Sequence, residues 1–532
     1  MTKEKLFLYD TTLRDGQQTQ GVQFSTPEKH QIADALDRLG VDYIEGGWPG
    51  ANPTDSAFFE EAPETKAVFT AFGMTKRAGR SAANDEVLAA VLNAGTPAVC
   101  LVGKTHDFHV TCALGITLEE NLENIRESVA HIVAQGREAL FDAEHFFDGY
   151  KANPEYALAC AQAAIDAGAR WVVLCDTNGG SQPSEVHEIV KAVCERIPGQ
   201  KVGIHAHNDT DQAVANSLAA VEAGARQIQG TINGIGERCG NANLISLIPT
   251  LALKPHYAEK YEIGIDADKL KGLTRLSRTF DELLNRAPYS QAPYAGSSAF
   301  ATKAGIHASA LMKDPTTYEH VAPEAVGNQR NLMVSDQGGK SNFLDQLSRR
   351  GIKVSKSDPK LDTLIALVKE REATGYAYEA AEASFELLAR RTLGSVSTFF
   401  DVESFRVGVE RRFNAIGEVV TVSEAVVRLD IQGEQLSSVA EGEGPVNALD
   451  RALRKDLGKY QKQIEDLELV DYKVRILNGG TEAITRVLIE STDETGERWW
   501  TVGVSDNIID ASFQALIDSL NYKLVKSDGN SA

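Results

Sequence analysis

Over its first half the chain alternates between short runs of β-branched, aromatic and small apolar residues and longer stretches with helical spacing. Eight such runs are distinguishable: Leu6–Asp10, Tyr43–Gly47, Ala67–Gly73, Ala98–Gly103, Ala139–His145, Trp171–Thr177, Val202–Asn208 and Gln227–Ile232. Their spacing of roughly 25 to 40 residues is that of βα units, whose strands pair in parallel only if a helix crosses back over them. Helix signals fall between the runs. Ser25-Thr26-Pro27-Glu28 offers a capping hydroxyl, a proline at the helix start and a first-turn acid. Ile32, Leu36 and Leu39 repeat at helical spacing, and Gly40 ends the segment. Eight units predict a closed (β/α)8 barrel rather than an open sheet.

Past residue 275 the rhythm changes. Residues 276–395 read as helices broken by loops such as Arg286–Ser298 and Gly338–Ser341, and are expected to form linker subdomains. Residues 396–525 are β-rich and hold an internal repeat. Val439–Leu453 (VAEGEGPVNALDRAL) is echoed 63 residues on (502 − 439) by Val502–Leu516 (VGVSDNIIDASFQAL). The strand-like run Glu424–Ile431 precedes the first copy; Tyr472–Leu477, Ala483–Glu490 and Trp499–Val504 precede or enter the second. A duplicated strands-then-helix unit predicts a pseudo-symmetric α+β module. Lys526–Ala532 reads as a disordered tail. The expected class is α/β: a TIM barrel over 1–275, a mostly helical linker and a C-terminal α+β domain.

Composition narrows the partners. At 532 residues the chain exceeds one ordinary core. A net charge of −21 (54 − 75) opposes non-specific contact with nucleic acid or anionic lipid. The four-residue apolar run before Asp10 is too short for a secretion signal, and no apolar run of about 18 residues occurs, so no membrane association is expected. Six scattered cysteines without a C-x-x-C pair read as reduced thiols in a cytoplasmic protein.

In such a barrel, functional side chains gather at the C-terminal strand ends. Six of the eight runs end in unusual polar residues: Arg14-Asp15, Glu45, Asp142-Ala143-Glu144-His145, Asp176-Thr177-Asn178, His205-Ala206-His207-Asn208 and the loop Gly236-Glu237-Arg238-Cys239-Gly240-Asn241. His205 and His207 are two apart on a predicted strand, so both imidazoles face one side. With Asp15 they make a donor set for a divalent cation with open positions, and Mg²⁺, Mn²⁺, Zn²⁺ and Co²⁺ all suit it. Glu45 on an apolar strand needs a partner, and Arg14 is the natural one.

The segments YDTTLRDG, IEGG, HAHND and GERCGNAN together resemble the acyl-CoA-condensing branch of the DRE-TIM metallolyase family, which includes 2-isopropylmalate, homocitrate and citramalate synthases. FDAEHFFDGYKANPEYAL with VVLCDTNGG looks most like the citramalate synthases, and DYKVRILNGGTEAITRVLIES resembles their effector-binding domain. The resemblance implies condensation of acetyl-CoA with pyruvate, followed by thioester hydrolysis to citramalate and CoA, in isoleucine biosynthesis. It implies that Asp15, His205 and His207 hold the metal with Asn241 nearby. Arg14, held by Glu45, would stabilise the oxyanion; Glu144 and Thr177 would contact the 2-oxo acid. His307, supplied by the linker from this chain or a partner, would pair with Glu237 in acid–base work. His109 and Tyr318 match further substrate-contact positions. A homodimer with isoleucine as allosteric effector is also implied. The alternative is a 2-isopropylmalate synthase acting on 2-oxoisovalerate. The related lyase uses a cysteine in the loop after the eighth strand; the loop here has the synthase form, so Cys239 is expected to be a packed thiol.

Overall fold

A computed structural model describes residues 3–394, 399–413, 415–480 and 483–529. The expected linker boundary at 395–396 and tail residues 530–532 lie outside these. The chain divides into two compact units: residues 1–300 with 321–329, and residues 301–320 with 330–532.

In the first unit eight parallel strands close into a barrel in strict chain order. They are β1 (Phe7–Asp10), β2 (Tyr43–Gly47), β3 (Val68–Met74), β4 (Ala98–Lys104), β5 (Glu138–Glu144), β6 (Trp171–Asp176), β7 (Val202–Ala206) and β8 (Gln227–Gly230). The two-residue period splits each strand between two cores. Leu8, Ile44, Leu101, Phe141, Leu174, Ile204 and Ile228 pack outward against the helices. Tyr9, Tyr43, Phe72, Cys100, Leu140, Trp171 and Val173 form a separate inner cluster. The Trp171 indole N–H donates to the Tyr43 hydroxyl at 3.1 Å, which donates to Glu138 at 2.6 Å, so aromatic groups plug the barrel. The first helix, Thr26–Leu39, begins in a capping box between Ser25 and Glu28 and ends at Gly40 with φ 97°.

The observed strands stop short of several expected runs. β7 ends at Ala206 and β8 at Gly230, so His207 lies beyond the strand, in an isolated bridge to Asn241. The first unit also extends past the expected barrel end at residue 275. Helix Leu273–Leu283 buries Leu273, Thr274, Ser277 and Phe280, and Phe280 lies 6.1 Å from the Phe24 ring. The Asn328 amide donates to the carbonyls of Tyr294 and Gly296, which ties residues 321–329 back to this unit.

The second unit carries the repeat. Antiparallel strands β9 (Asp401–Phe413), β10 (Val419–Ile431) and β11 (Glu434–Gly442) lead into helix Pro445–Lys455. Strands β12 (Glu468–Ile476), β13 (Thr485–Thr492) and β14 (Arg498–Ser505) lead into helix Ile508–Gly529. Both copies feed one core, in which Val427, Leu429, Leu449 and Leu453 join Val487, Ile489, Trp499 and Leu516. The last helix runs through Lys526, whose ammonium meets Asp493 at 3.2 Å and Glu497 at 2.8 Å. The tail expected to be disordered from Lys526 is therefore helical to Gly529. Among the described residues no helix is long and apolar enough to cross a membrane, and all six cysteines are free.

The close approach of β14 to the last helix rests on Gly503, where a Cβ would lie 1.9 Å from the Ala511 carbonyl oxygen. Gly503→Ala should destabilise this unit by about 1–3 kcal/mol, read as a lowered calorimetric transition. An unchanged transition would contradict that packing.

Candidate active site and metal centre

The inner positions of the strands turn polar at their C-terminal ends. Above the aromatic plug lie Glu45 on β2, Asp142 on β5, His205 on β7 and Gln229 on β8, all buried. The turn after β1 is built by its own side chains. Asp10 accepts from the Thr12 amide at 2.9 Å and the Thr12 hydroxyl at 2.8 Å, and that hydroxyl accepts from the Ile232 amide at 2.9 Å. This presents Arg14 and Asp15 to the barrel mouth.

Three donor atoms converge there. Asp15 Oδ2 lies 3.1 Å from His205 Nε2 and 3.9 Å from His207 Nε2, and the two imidazole nitrogens are 3.3 Å apart. Burial alone would raise Asp15, but Arg14 and the two histidines outweigh it and hold its carboxyl well below the usual range. Burial, helped by neighbouring His205, lowers His207 to about 4, so it is a neutral donor at neutral pH. Burial would lower His205 too, but its hydrogen bond to Asp15 and the charges of Asp15 and Asp142 raise it. Asn241 Oδ1 is buried beside His207 without a hydrogen-bond donor among the described residues. One carboxylate, two imidazoles and an unpaired amide oxygen fit a divalent cation.

Arg14 sits beside this cluster. Its Nε donates to Glu45 Oε2 at 2.6 Å, its terminal nitrogen lies 3.6 Å from Asp15 Oδ2, and its guanidinium packs 4.0 Å over the Phe72 ring. Tyr9 donates to the other Glu45 oxygen at 2.8 Å. Burial, only partly countered by Arg14, pushes Glu45 up; burial pushes Asp142 up as well. Buried Lys29 clamps the two chain segments, donating to Leu13 O at 2.9 Å, Gly46 O at 3.0 Å and Asp55 Oδ1 at 2.5 Å.

A cavity of about 340 Å³ opens over these groups. Arg14, Asp15, Glu144, Thr177, His205, His207 and Glu237 all line it, among apolar walls from Trp48, Phe72, Met74 and Val102. Glu144 is held by Lys104 at 2.6 Å. The Thr177 hydroxyl accepts from the His145 amide at 2.8 Å, leaving its hydrogen free to donate. Glu237 is largely exposed and lies 3.5 Å from Arg238.

Other expected residues are placed differently. His109 is not in the cavity lining; it stacks at 3.9 Å on His145, which holds a left-handed φ of 59°. His307 and Tyr318 belong to the second unit, outside the barrel as expected, where their rings stack at 4.2 Å. Cys239 is exposed, not packed. Sequence reading overlooked Tyr9, Lys29, Lys104 and Gln229 and gave Asp142 no role. Asp142 is two residues before Glu144 and Gln229 pairs with His205 in register, so inner-face periodicity signalled both.

The chain matches the HMGL-like family over residues 5–276, the homocitrate synthase post-HMGL domain-like family over 295–374 and the LeuA allosteric (dimerisation) domain over 379–524. Barrel, strand-end site and this domain order define an enzyme of the HMGL-like class. It is 51% identical to the (R)-citramalate synthase of Aquifex aeolicus, with 99% of each chain covered. It is 49% identical to that of Synechocystis, covering 98% of this chain and 96% of the relative. A probable 2-isopropylmalate synthase of Methanopyrus kandleri is 33% identical, covering 97% and 98%. The chain belongs to the family of the (R)-citramalate synthases.

Lys29→Met leaves Asp55 buried and uncompensated. It should cost about 3–5 kcal/mol of stability, measured by denaturant unfolding, and pairing it with Asp55→Leu should return part of that loss. A single variant as stable as the parent would remove Lys29 from this role.

Proposed function

We propose that this chain condenses the methyl carbon of acetyl-CoA with the keto carbon of pyruvate and hydrolyses the thioester, releasing citramalate and CoA. The observation that carries the reading is the convergence of Asp15, His205 and His207 with the Arg14 guanidinium in one small cavity. These three side chains, with Asn241, would hold a divalent cation, which when bound polarises the carbonyl of a 2-oxo acid. Mg²⁺, Mn²⁺, Zn²⁺ and Co²⁺ are all compatible with the donor set.

The chain's own groups supply the rest. Arg14 is fixed by Glu45 and Phe72, so its remaining N–H groups are aimed before substrate arrives, as oxyanion stabilisation requires. Thr177 has a hydroxyl hydrogen to give to a carboxylate, and Glu144 is oriented by Lys104. Trp48 packs edge-on to Phe72 at 5.5 Å, and with Met74 and Val102 these rings give the cavity an apolar wall against which the substituent of a 2-oxo acid would lie. His307 with Tyr318 would be the second unit's contribution to the chemistry. We also propose a cytoplasmic homodimer inhibited by isoleucine, supported by the match to the LeuA allosteric (dimerisation) domain.

The test is CoA release followed by thiol titration, with pyruvate and 2-oxoisovalerate side by side and with isoleucine added. Pyruvate should be preferred and isoleucine should slow turnover. Preference for 2-oxoisovalerate would replace the substrate, and indifference to isoleucine would remove the effector. Arg14→Lys should keep divalent-cation binding and lose turnover by on the order of 10²–10³; near-parent turnover would refute its role.

A further inference from the structure

One hydrogen-bonded chain beneath the metal cluster has no part in the chemistry above. His205 Nδ1 lies 2.9 Å from Gln229 Oε1, and Gln229 Nε2 donates to Asp142 Oδ1 at 3.0 Å. All three side chains are buried: His205 5%, Gln229 0% and Asp142 3% exposed. His205 and Gln229 are paired in register on β7 and β8, and Asp142 reaches them from β5. We propose that Asp142 and Gln229 form a positioning relay that makes Nε2 of His205 the bare nitrogen offered to the cation. This rests on Asp15, His205 and His207 being the metal site.

The direction of the relay follows from donor and acceptor chemistry. A glutamine amide has one donating and one accepting end, and alone it turns either way. Asp142 Oδ1 is an acceptor, so it draws Nε2 of Gln229 towards itself and leaves Oε1 facing His205. An oxygen there accepts, so His205 Nδ1 must carry the hydrogen, and the lone pair is left on Nε2. Nε2 is the atom that converges on Asp15 and His207. The opposite amide orientation would place an N–H against Nδ1, move the imidazole hydrogen to Nε2 and block the donor.

Asp142 lies with Glu45 and Cys100 in a buried group whose ligating atoms fall within 4.8 Å of one another, and the Cys100 thiol hydrogen-bonds to it. The relay thus runs from β5 across the barrel interior to the metal ligand. His207 contrasts with it: its Nδ1 is buried without a partner among the described residues. The structure fixes one imidazole and leaves the other to the ion. Groups that orient ligating histidines typically contribute 10- to 100-fold in metal affinity.

The experiment measures Mn²⁺ binding to the full chain from the paramagnetic resonance of the free ion, and in the Mg²⁺-loaded protein records the His205 Nδ1–H resonance, assigned by its loss in His205→Gln. Gln229→Leu should weaken Mn²⁺ binding by 10- to 100-fold and expose the Nδ1–H to exchange. The double variant Asp142→Asn/Gln229→Glu keeps an oxygen facing Nδ1 and reverses the lower hydrogen bond. It should bind Mn²⁺ like the parent and keep the Nδ1–H protected, which a role in packing alone does not predict. Parent-like affinity in Gln229→Leu, or loss of affinity in the double variant, would overturn the relay. If the parent itself binds no Mn²⁺, the metal-site reading falls, and with it the relay. If the parent binds, Asp15→Asn does not, and Gln229→Leu binds as tightly as the parent, the relay alone falls.

Discussion

Arg14 and Glu45 meet at 2.6 Å in a place where Glu45 has no access to water. A buried ion pair of this kind is weak support for stability, because desolvating both charges cancels much of their attraction. Its effect is on position. Glu45 is a fixed point on β2, and a guanidinium tied to it and laid over Phe72 has little freedom left. Arg14 then holds the neighbouring Asp15 ionised, and Asp15 in turn holds His205 within hydrogen-bonding reach. The anchor charge is what allows an anionic ligand to sit in the mouth of a closed, mostly apolar barrel.

The barrel explains why that anchor is available. Closure forces alternate residues of every strand into a lumen too narrow for helices or solvent. The plug of Tyr9, Tyr43 and Trp171 fills its lower part, and the inward positions above it are left to Glu45, Asp142, His205 and Gln229. Two buried carboxylates and one guanidinium do not balance locally. Burial pushes both Glu45 and Asp142 up, and Arg14 beside the first and the Gln229 amide beside the second act against it.

The same period of two decided how much could be read from sequence. The eight strands were legible because parallel strands covered on both faces are continuous apolar runs, and Tyr43–Gly47 was located to the residue. Asp15, His205 and His207 stood out because polar groups at strand ends break those runs. Lys29 was not legible: it reads as one charged residue in an amphipathic helix, and only tertiary contact with Leu13, Gly46 and Asp55 gives it a role. β9 and β11 escaped for the opposite reason. Their sequences, DVESFRVGVERRF and EQLSSVAEG, are mostly exposed and polar, and antiparallel strands with one open face need only a sparse apolar alternation. The repeat was found through its helices, which carry the shared apolar pattern.

The repeat also shows how the two copies have diverged. Both helices bury their apolar faces in a common core, yet the first ends at Lys455 while the second continues to Gly529 and closes with Lys523 and Lys526 gathered on Asp493. Asp493 sits in the turn between β13 and β14, so the second helix is tied to the loop of its own sheet by charge as well as by packing. In the first copy the basic groups of the helix reach main-chain oxygens, Arg451 on Glu441, Lys455 on Val439 and Arg454 on Leu467, and Arg454 also meets Asp450 at 2.7 Å. The first helix is therefore fastened largely through main-chain carbonyls, which side-chain substitution leaves in place, and the second through three carboxylates, Asp466, Asp493 and Glu497. Of the two halves, the second is the one whose docking depends more on the charge of side chains.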